Sequence, residues 1–399
     1  MSKLFIEDLE VAGKKVIVRV DFNVPLKDGA VENDKRLRES LPTINHLLEH
    51  GAKVILMSHL GRPDGQVVEG LRMAPVGKCL SELVGKPVKV APDCIGSEVQ
   101  ALVAAMAPGD VVLLENLRFH AEEEANDPDF ARALAGLADV YVNDAFGSAH
   151  RAHASTAGIT AHLNECAAGY LMKKELDFLG SALTNPVRPF VAIIGGAKIS
   201  GKIDVVEALL PKVDALLIGG GMANTFLKAQ GLEVGRSLVE PERIELAKAL
   251  MAKTGSKMLL PQDVVVTDSV DIKGRRVGTL STVDVQAVPD NQSIVDIGPQ
   301  TVRAYSASIQ GAKTVLWNGP MGIFEIDATA VGTVAVGHAL AEATEKNRAT
   351  TVVGGGDSAS AIKKAKLTGK VSHVSTGGGA SLEFLEGRQL PGVVALTDR

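Results

Sequence analysis

The chain has 399 residues, more than one core of ordinary size holds, so two domains are expected. Its 46% hydrophobic and 22% charged residues are a globular balance that excludes a disordered chain. A net charge of −5 argues against a nucleic-acid partner, and no apolar run approaches the ~20 residues of a membrane helix. In chain order, Lys15–Val20 reads as a buried strand closed by Asp21-Phe22-Asn23, and a helix follows over Arg36–Glu49. Lys53–Met57 is a second strand, closed by Ser58-His59-Leu60-Gly61-Arg62-Pro63. Val111–Leu114 leads to Glu115-Asn116-Leu117-Arg118, and Asp127-Pro128 has the cap and first-turn proline that open a helix. Val140–Asn143 leads through Asp144 to His150-Arg151-Ala152-His153, and a helical stretch over Leu171–Leu183 stops at Asn185-Pro186. The pattern then begins again, with strands expected at Phe190–Ile194, Ala215–Ile218, Lys257–Leu260, Val264–Val266, Thr314–Trp317 and Thr351–Val353. Pro241 and Pro299 each open a helix, and a small hairpin is expected about Gly274–Leu280.

Alternating strands and helices imply parallel sheets covered on both faces. The fold class is therefore α/β, with two doubly wound parallel-sheet (Rossmann-like) domains joined by a hinge helix. In such sheets ligands gather at the carboxyl ends of the strands, so the residues that follow each strand carry the chemistry. In the first half these residues are basic: Arg19, Arg62, Arg118 and Arg151 follow four strands, and Arg36 lies across a loop from the first. A single arginine is usually a solvated charge. Several at consecutive strand ends form a ring of paired donors suited to a small, highly charged anion. His150 and His153 have a metal-like spacing but no third ligand, so a zinc site is not expected there. Cys79, Cys94 and Cys166 are odd in number and far apart; they form no disulfide framework or metal pair, which points to a reducing cytoplasm. Met1–Glu10 lacks a signal pattern.

The second half carries glycine turns. From Gly196 the chain nearly matches the phosphate loop G-x-x-x-x-G-K-[ST], but Ile203 stands where a metal-binding hydroxyl is required. The segment is read as a turn presenting Lys198 and Lys202 to phosphate. Gly219-Gly220-Gly221 allows close approach of a flat base or ribose. Gly354-Gly355-Gly356-Asp357-Ser358 opens a helix whose free N–H groups favour phosphate, with Asp357 placed to hold Mg²⁺. Gly377-Gly378-Gly379 offers a second such start. The G-x-G-x-x-G spacing of a dinucleotide turn is absent at Gly195-Gly196, and a nucleotide sensor without catalysis has no need of the arginine ring.

Together Arg19–Pro25, Ser58–Pro63, Asn143–His150, Gly195–Lys202, Leu316–Pro320, Gly354–Asp357 and Ser375–Ser381 closely resemble the phosphoglycerate kinase family, in the family's order and over essentially the whole chain. The resemblance implies reversible, Mg²⁺-dependent transfer of the acyl phosphate of 1,3-bisphosphoglycerate to ADP, giving 3-phosphoglycerate and ATP. It implies that Asp21, Asn23, Arg36, His59, Arg62, Arg118 and Arg151 hold the phosphoglycerate. On the nucleotide side it adds Asn318 and Glu325 to Lys198, Lys202, Gly219, Gly220 and the loop Gly354–Ser358, with Glu325 at the ribose and Asp357 at the metal. Arg36 and Lys202 are expected to stabilise the transferring phosphoryl group, with help from helix-start N–H groups at Gly355 and Gly378. The implied organisation is a phosphoglycerate-binding domain over 1–172, a hinge over 173–187 and a nucleotide-binding domain over 188–386, with the tail 387–399 packing back on the first. Two positions depart from the usual pattern, Ser358 for threonine and Met321 for valine, and neither removes a ligand. A cytoplasmic monomer, with no membrane or nucleic-acid partner, is expected.

Overall fold

The computed structural model describes residues 3–399, and the chain divides into two compact units: Met1–Asp177 with Gln389–Arg399, and Phe178–Arg388. In the first unit, six parallel strands are β1 (Lys15–Arg19), β2 (Lys53–Met57), β3 (Val88–Val90), β4 (Val111–Leu113), β5 (Val140–Asn143) and β6 (Cys166–Ala168), in the order β3-β4-β2-β1-β5-β6. The central strands are mostly apolar and buried beyond their first residue, because helices cover both faces and no side is left to water. Val16, Val18, Val54, Leu56 and Val142 join Leu37, Ile44 and Leu47 of helix α1 (Lys35–Glu49) in one core. The helix opened by Pro128 is capped as its sequence requires, with Asp127 accepting from the N–H groups of Asp129 and Phe130.

The last segment returns to this unit. Thr397 donates its N–H to Cys166 O and accepts from Leu4 N–H, Asn143 Nδ2 donates to Gly392 O, and Leu390, Val393 and Leu396 are buried. Helix α2 (Tyr170–Thr184) carries the chain from one unit into the next. Its start is held by Asp144, which follows β5 and accepts from the N–H groups of Leu171 and Met172.

The second unit repeats the plan with β7 (Phe190–Ile194), β8 (Ala215–Ile218), β9 (Met258–Leu259), β13 (Thr314–Asn318), β14 (Thr350–Gly354) and β15 (His373–Val374), in the order β9-β8-β7-β13-β14-β15. The intervening β10 (Asp263–Thr267), β11 (Leu280–Asp284) and β12 (Ser293–Ile297) form a separate antiparallel sheet with β10 in the middle. The expectation that Val264–Val266 belongs to the parallel sheet is thus corrected. A short apolar run cannot tell a parallel core strand from the centre of an antiparallel one. The hairpin is also displaced from its expected place, pairing Val270–Asp271 with Arg276–Val277.

Candidate active site

In each sheet the chain leaves the first strand toward one side and later returns to its other side. The place where the order reverses is the crevice predicted to take a ligand. In the first unit it lies between β1 and β5, and the loops after β1, β2, β4 and β5 meet there. Arg36 pairs with Asp21 at 2.5 Å, and Asn23 Oδ1 accepts from Gly61 N–H at 2.9 Å. Arg118 is buried; Nη1 donates to Gly61 O, Nη2 pairs with Glu124 at 3.0 Å, and Nε has no partner among the described residues. Arg151 lies 3.8 Å from the same Glu124 carboxylate, and Arg62 is exposed without an ion pair among the described residues. The positive groups are close enough to perturb one another. His59 is held well below the usual histidine range by burial and by Arg19, Arg118 and Arg36. His153 is lowered to about 4 by burial, Arg19 and Arg118.

Beneath this edge runs a buried chain of polar groups that the pattern of strand ends does not reveal. Ser155 donates its N–H and hydroxyl to the two oxygens of Glu123, and Arg19 Nε donates to Ser155 Oγ at 2.8 Å. Arg19 Nη2 donates to His59 Nδ1 at 3.0 Å. A guanidinium has no acceptor, so His59 Nδ1 must carry the lone pair and Nε2 the proton. Burial pushes the Glu123 carboxyl up, opposed by Arg19 and Ser155.

In the second unit the reversal lies between β7 and β13, where Ile194 and Asn318 are paired. Gly195 N–H donates to Asn318 O, and Gly196 N–H to Pro320 O, so the two loops are stitched together. Lys202 reaches across to donate to Asn318 Oδ1. The other end of that amide, Nδ2, is buried without a partner among the described residues and faces Gly355, a left-handed glycine (φ +88°) just before helix α3 (Gly356–Lys364). A lysine, an unpartnered amide donor and a helix start thus converge on one spot, which suits a phosphate. Burial lowers the Lys202 pKa, opposed by Asp357 and Glu386. Beside this spot is a cavity of about 340 Å³, mostly apolar, whose lining includes Gly196, Gly220, Asp296, Met321, Glu325 and Asp357. Lys198, Lys202, Gly219, Asn318, Gly354, Gly355, Gly356 and Ser358 stand outside that lining. Lys198 is exposed, Gly354 ends β14, and Gly378 precedes the seven-residue helix Gly379–Leu385. The Ser358 hydroxyl is buried and accepts from Gly319 N–H, leaving its main chain as the part free to meet a ligand.

The family model for phosphoglycerate kinase matches residues 6–388. The chain belongs to the phosphoglycerate kinase family. It is 58% identical over 402 residues to the phosphoglycerate kinase of Moorella thermoacetica and 57% identical over 401 residues to that of Chloroherpeton thalassium, each match covering 100% of both chains. The solved phosphoglycerate kinase of Coxiella burnetii superposes with a TM-score of 0.90 at 42% identity, and that of Pyrococcus horikoshii with 0.82 at 33%; both cover 98% of either chain. The reaction is the family's: the acyl phosphate of 1,3-bisphosphoglycerate passes reversibly to ADP, giving 3-phosphoglycerate and ATP in glycolysis. Asp357 fits a magnesium ion brought by a nucleotide, since it is an exposed hard-oxygen donor in the first turn of α3 and on the cavity wall.

Proposed function

We propose that the basic edge of the first unit holds the phosphoglycerate and the glycine-lined edge of the second holds ADP or ATP. The observation that carries the reading is the meeting of Lys202, the unpartnered Nδ2 of Asn318 and the start of α3. Arg36, Arg62, Arg118 and Arg151 neutralise the substrate's charge, while Asp21 and Asn23 orient the loops that present them. His59, with its Nε2 proton fixed by Arg19, donates to a substrate oxygen and stays neutral. Arg19, Ser155 and Glu123 act through His59, as positioning residues.

The base and ribose enter the cavity lined by Gly220 and Glu325, where Glu325 accepts from the ribose, while Gly219, outside the lining, leaves room for Met321 in its wall. Asn318 and the main chain of Gly354, Gly355, Gly356 and Ser358 cradle the phosphates. A bound Mg²⁺ would be held by Asp357 and the phosphate oxygens, and supplies neutralisation of their charge. Lys198 adds positive charge at the rim.

In the direction that consumes ATP the nucleophile is a carboxylate, ionised at pH 7 because such groups titrate near ~3.5–4, so no general base is needed. Catalysis then rests on position and charge. Arg36 and Lys202 meet the negative oxygens of the transferring group, and the helix-start N–H groups at Gly355 and Gly378 add their dipoles. Acceptor and donor are assigned to different units, so turnover requires the 173–187 segment to act as a hinge that brings the bound substrates together. A radius of gyration that does not fall when both ligands bind would count against the hinge. The same reading makes the enzyme a cytoplasmic monomer, which light scattering tests through the 41.7 kDa mass of one chain.

The decisive assay couples ADP formation from ATP, 3-phosphoglycerate and Mg²⁺ to a chromogenic reaction, in the parent and in Lys202→Ala. The expected loss of turnover in the variant is roughly 10²–10³-fold, the size of one lost transition-state donor. Near-normal turnover removes Lys202 from that role, and an inactive but folded parent removes the reaction.

A further inference from the structure

The three cysteines offer no paired motif, yet one of them has the neighbours of a metal ligand. β3 and β4 are parallel neighbours, with Val90 opposite Leu113, so the segments that leave them emerge at the same edge of the sheet. Asp93 and Cys94 follow β3, and His120 follows β4 after the turn Leu117–Phe119. The two segments stay in register beyond the strands: Ala91 N–H donates to Leu113 O at 2.8 Å and Glu115 N–H to Asp93 O at 3.3 Å. One carboxylate oxygen of Asp93, Sγ of Cys94 and one imidazole nitrogen of His120 all lie within 4.8 Å of one another.

We propose that Asp93, Cys94 and His120 form a binding site for a soft divalent cation, Zn²⁺ by its chemistry, separate from the phosphoryl-transfer site. The donors are one sulfur, one nitrogen and one oxygen, a set that suits Zn²⁺ or Co²⁺ and not the Mg²⁺ of a nucleotide. Tetrahedral Zn²⁺, with bonds of ~2.0–2.3 Å, sets its ligand atoms roughly 3.3–3.8 Å apart, inside the observed envelope. Two of the ligands are already joined: His120 Nε2 is 2.7 Å from Asp93 Oδ1 and shares a proton with it. The cation takes that proton's place and displaces the thiol proton of Cys94 to solvent. The site is partly built in advance. Cys94 N–H donates to Asp93 Oδ1 at 2.6 Å, and the His120 ring packs on Phe130 with centroids 5.1 Å apart. Cys94 is fully buried, while the side chains of Asp93 and His120 are 47% and 25% exposed, so the outer side is open to a water as fourth ligand.

The test titrates Co²⁺ into the full-length protein in the absence of nucleotide and follows thiolate-to-cobalt charge-transfer absorption. The parent is expected to show this band, saturating at one equivalent and bleached by Zn²⁺. Cys94→Ser is expected to lose it, and Cys79→Ser to keep it. His120→Ala, its fold checked by circular dichroism, is expected to weaken Co²⁺ binding by on the order of 10²-fold, since even second-shell losses at metal sites cost about 10–100-fold. No band in a folded parent overturns the proposal, as does a band that survives in Cys94→Ser or an unchanged affinity in His120→Ala.

Discussion

Arg118 is a buried charge whose two terminal nitrogens are spent on Gly61 O and Glu124, while Nε has no partner among the described residues. A buried donor without a partner is costly, and a bound anion removes that cost. Arg118→Ala is expected to raise the KM for 3-phosphoglycerate much more than it lowers kcat; steady-state kinetics showing an unchanged KM with collapsed turnover would contradict a ground-state binding role. At this scale the arginines stood out in the sequence because several guanidinium groups at consecutive strand ends are unusual for solvated charge, although the structure buries Arg19 as a support for His59. Glu123 was not legible. It sits in a run of three glutamates, Glu122–Glu124, and only the fold decides that the middle one is fully buried beneath Arg19 and Ser155. The Asp93–Cys94–His120 cluster was hidden for a related reason, since its members are brought together by the pairing of two strands and not by spacing along the chain.

At the scale of elements, the turn between β8 and the helix Gly221–Ala229 depends on one glycine. Gly220 is left-handed (φ +68°), and a Cβ there would lie 2.6 Å from Gly196 O and 2.8 Å from Pro320 O, both main-chain atoms that cannot swing away. Gly220→Ala is expected to cost about 1–3 kcal/mol as an overpacked site. It should raise the nucleotide KM while leaving the phosphoglycerate KM unchanged. Trp317, the single tryptophan, is buried beside Asn318, so the change in its fluorescence on adding ADP is the measurement; equal affinities for parent and variant would refute the expectation. Elements built on compact apolar runs were readable from the sequence, and Lys53–Met57, Val140–Asn143, Phe190–Ile194 and Ala215–Ile218 have the ends expected of them. Several strands escaped notice, among them Leu280–Asp284 and Ser293–Ile297 of the antiparallel sheet, whose apolar residues are interrupted by polar ones. Val88–Val90 is a partly exposed edge strand, Cys166–Ala168 has no β-branched residue, and His373–Val374 is two residues long.

For the molecule as a whole, buried titratable groups in both units tie stability to pH with opposing signs. Burial raises Asp296 to about 7 and Asp144 to about 6, from an ordinary value of 3.8. These carboxyls take up a proton in the folded state before the unfolded chain does, so they add stability as pH falls from about 7 toward 4. His153, lowered to about 4 from 6.5, is protonated first in the unfolded chain and removes stability over nearly the same window. Relative to the parent, His153→Gln is therefore expected to gain thermal stability on acidification from pH 6.5 to 4 and Asp296→Asn to lose it. Melting curves that run parallel to the parent's at every pH would refute the linkage. The return of Gln389–Arg399 to the first unit has a consequence for synthesis. That segment leaves the ribosome only after all of Phe178–Arg388 has been made, roughly 10–40 s behind Asp177 at about 5–20 residues per second. Through that interval the nascent first unit lacks the segment that carries Leu390, Val393 and Leu396, and the apolar surface they cover is open to chaperones. The half of the chain that is translated first is thus the half that is finished last.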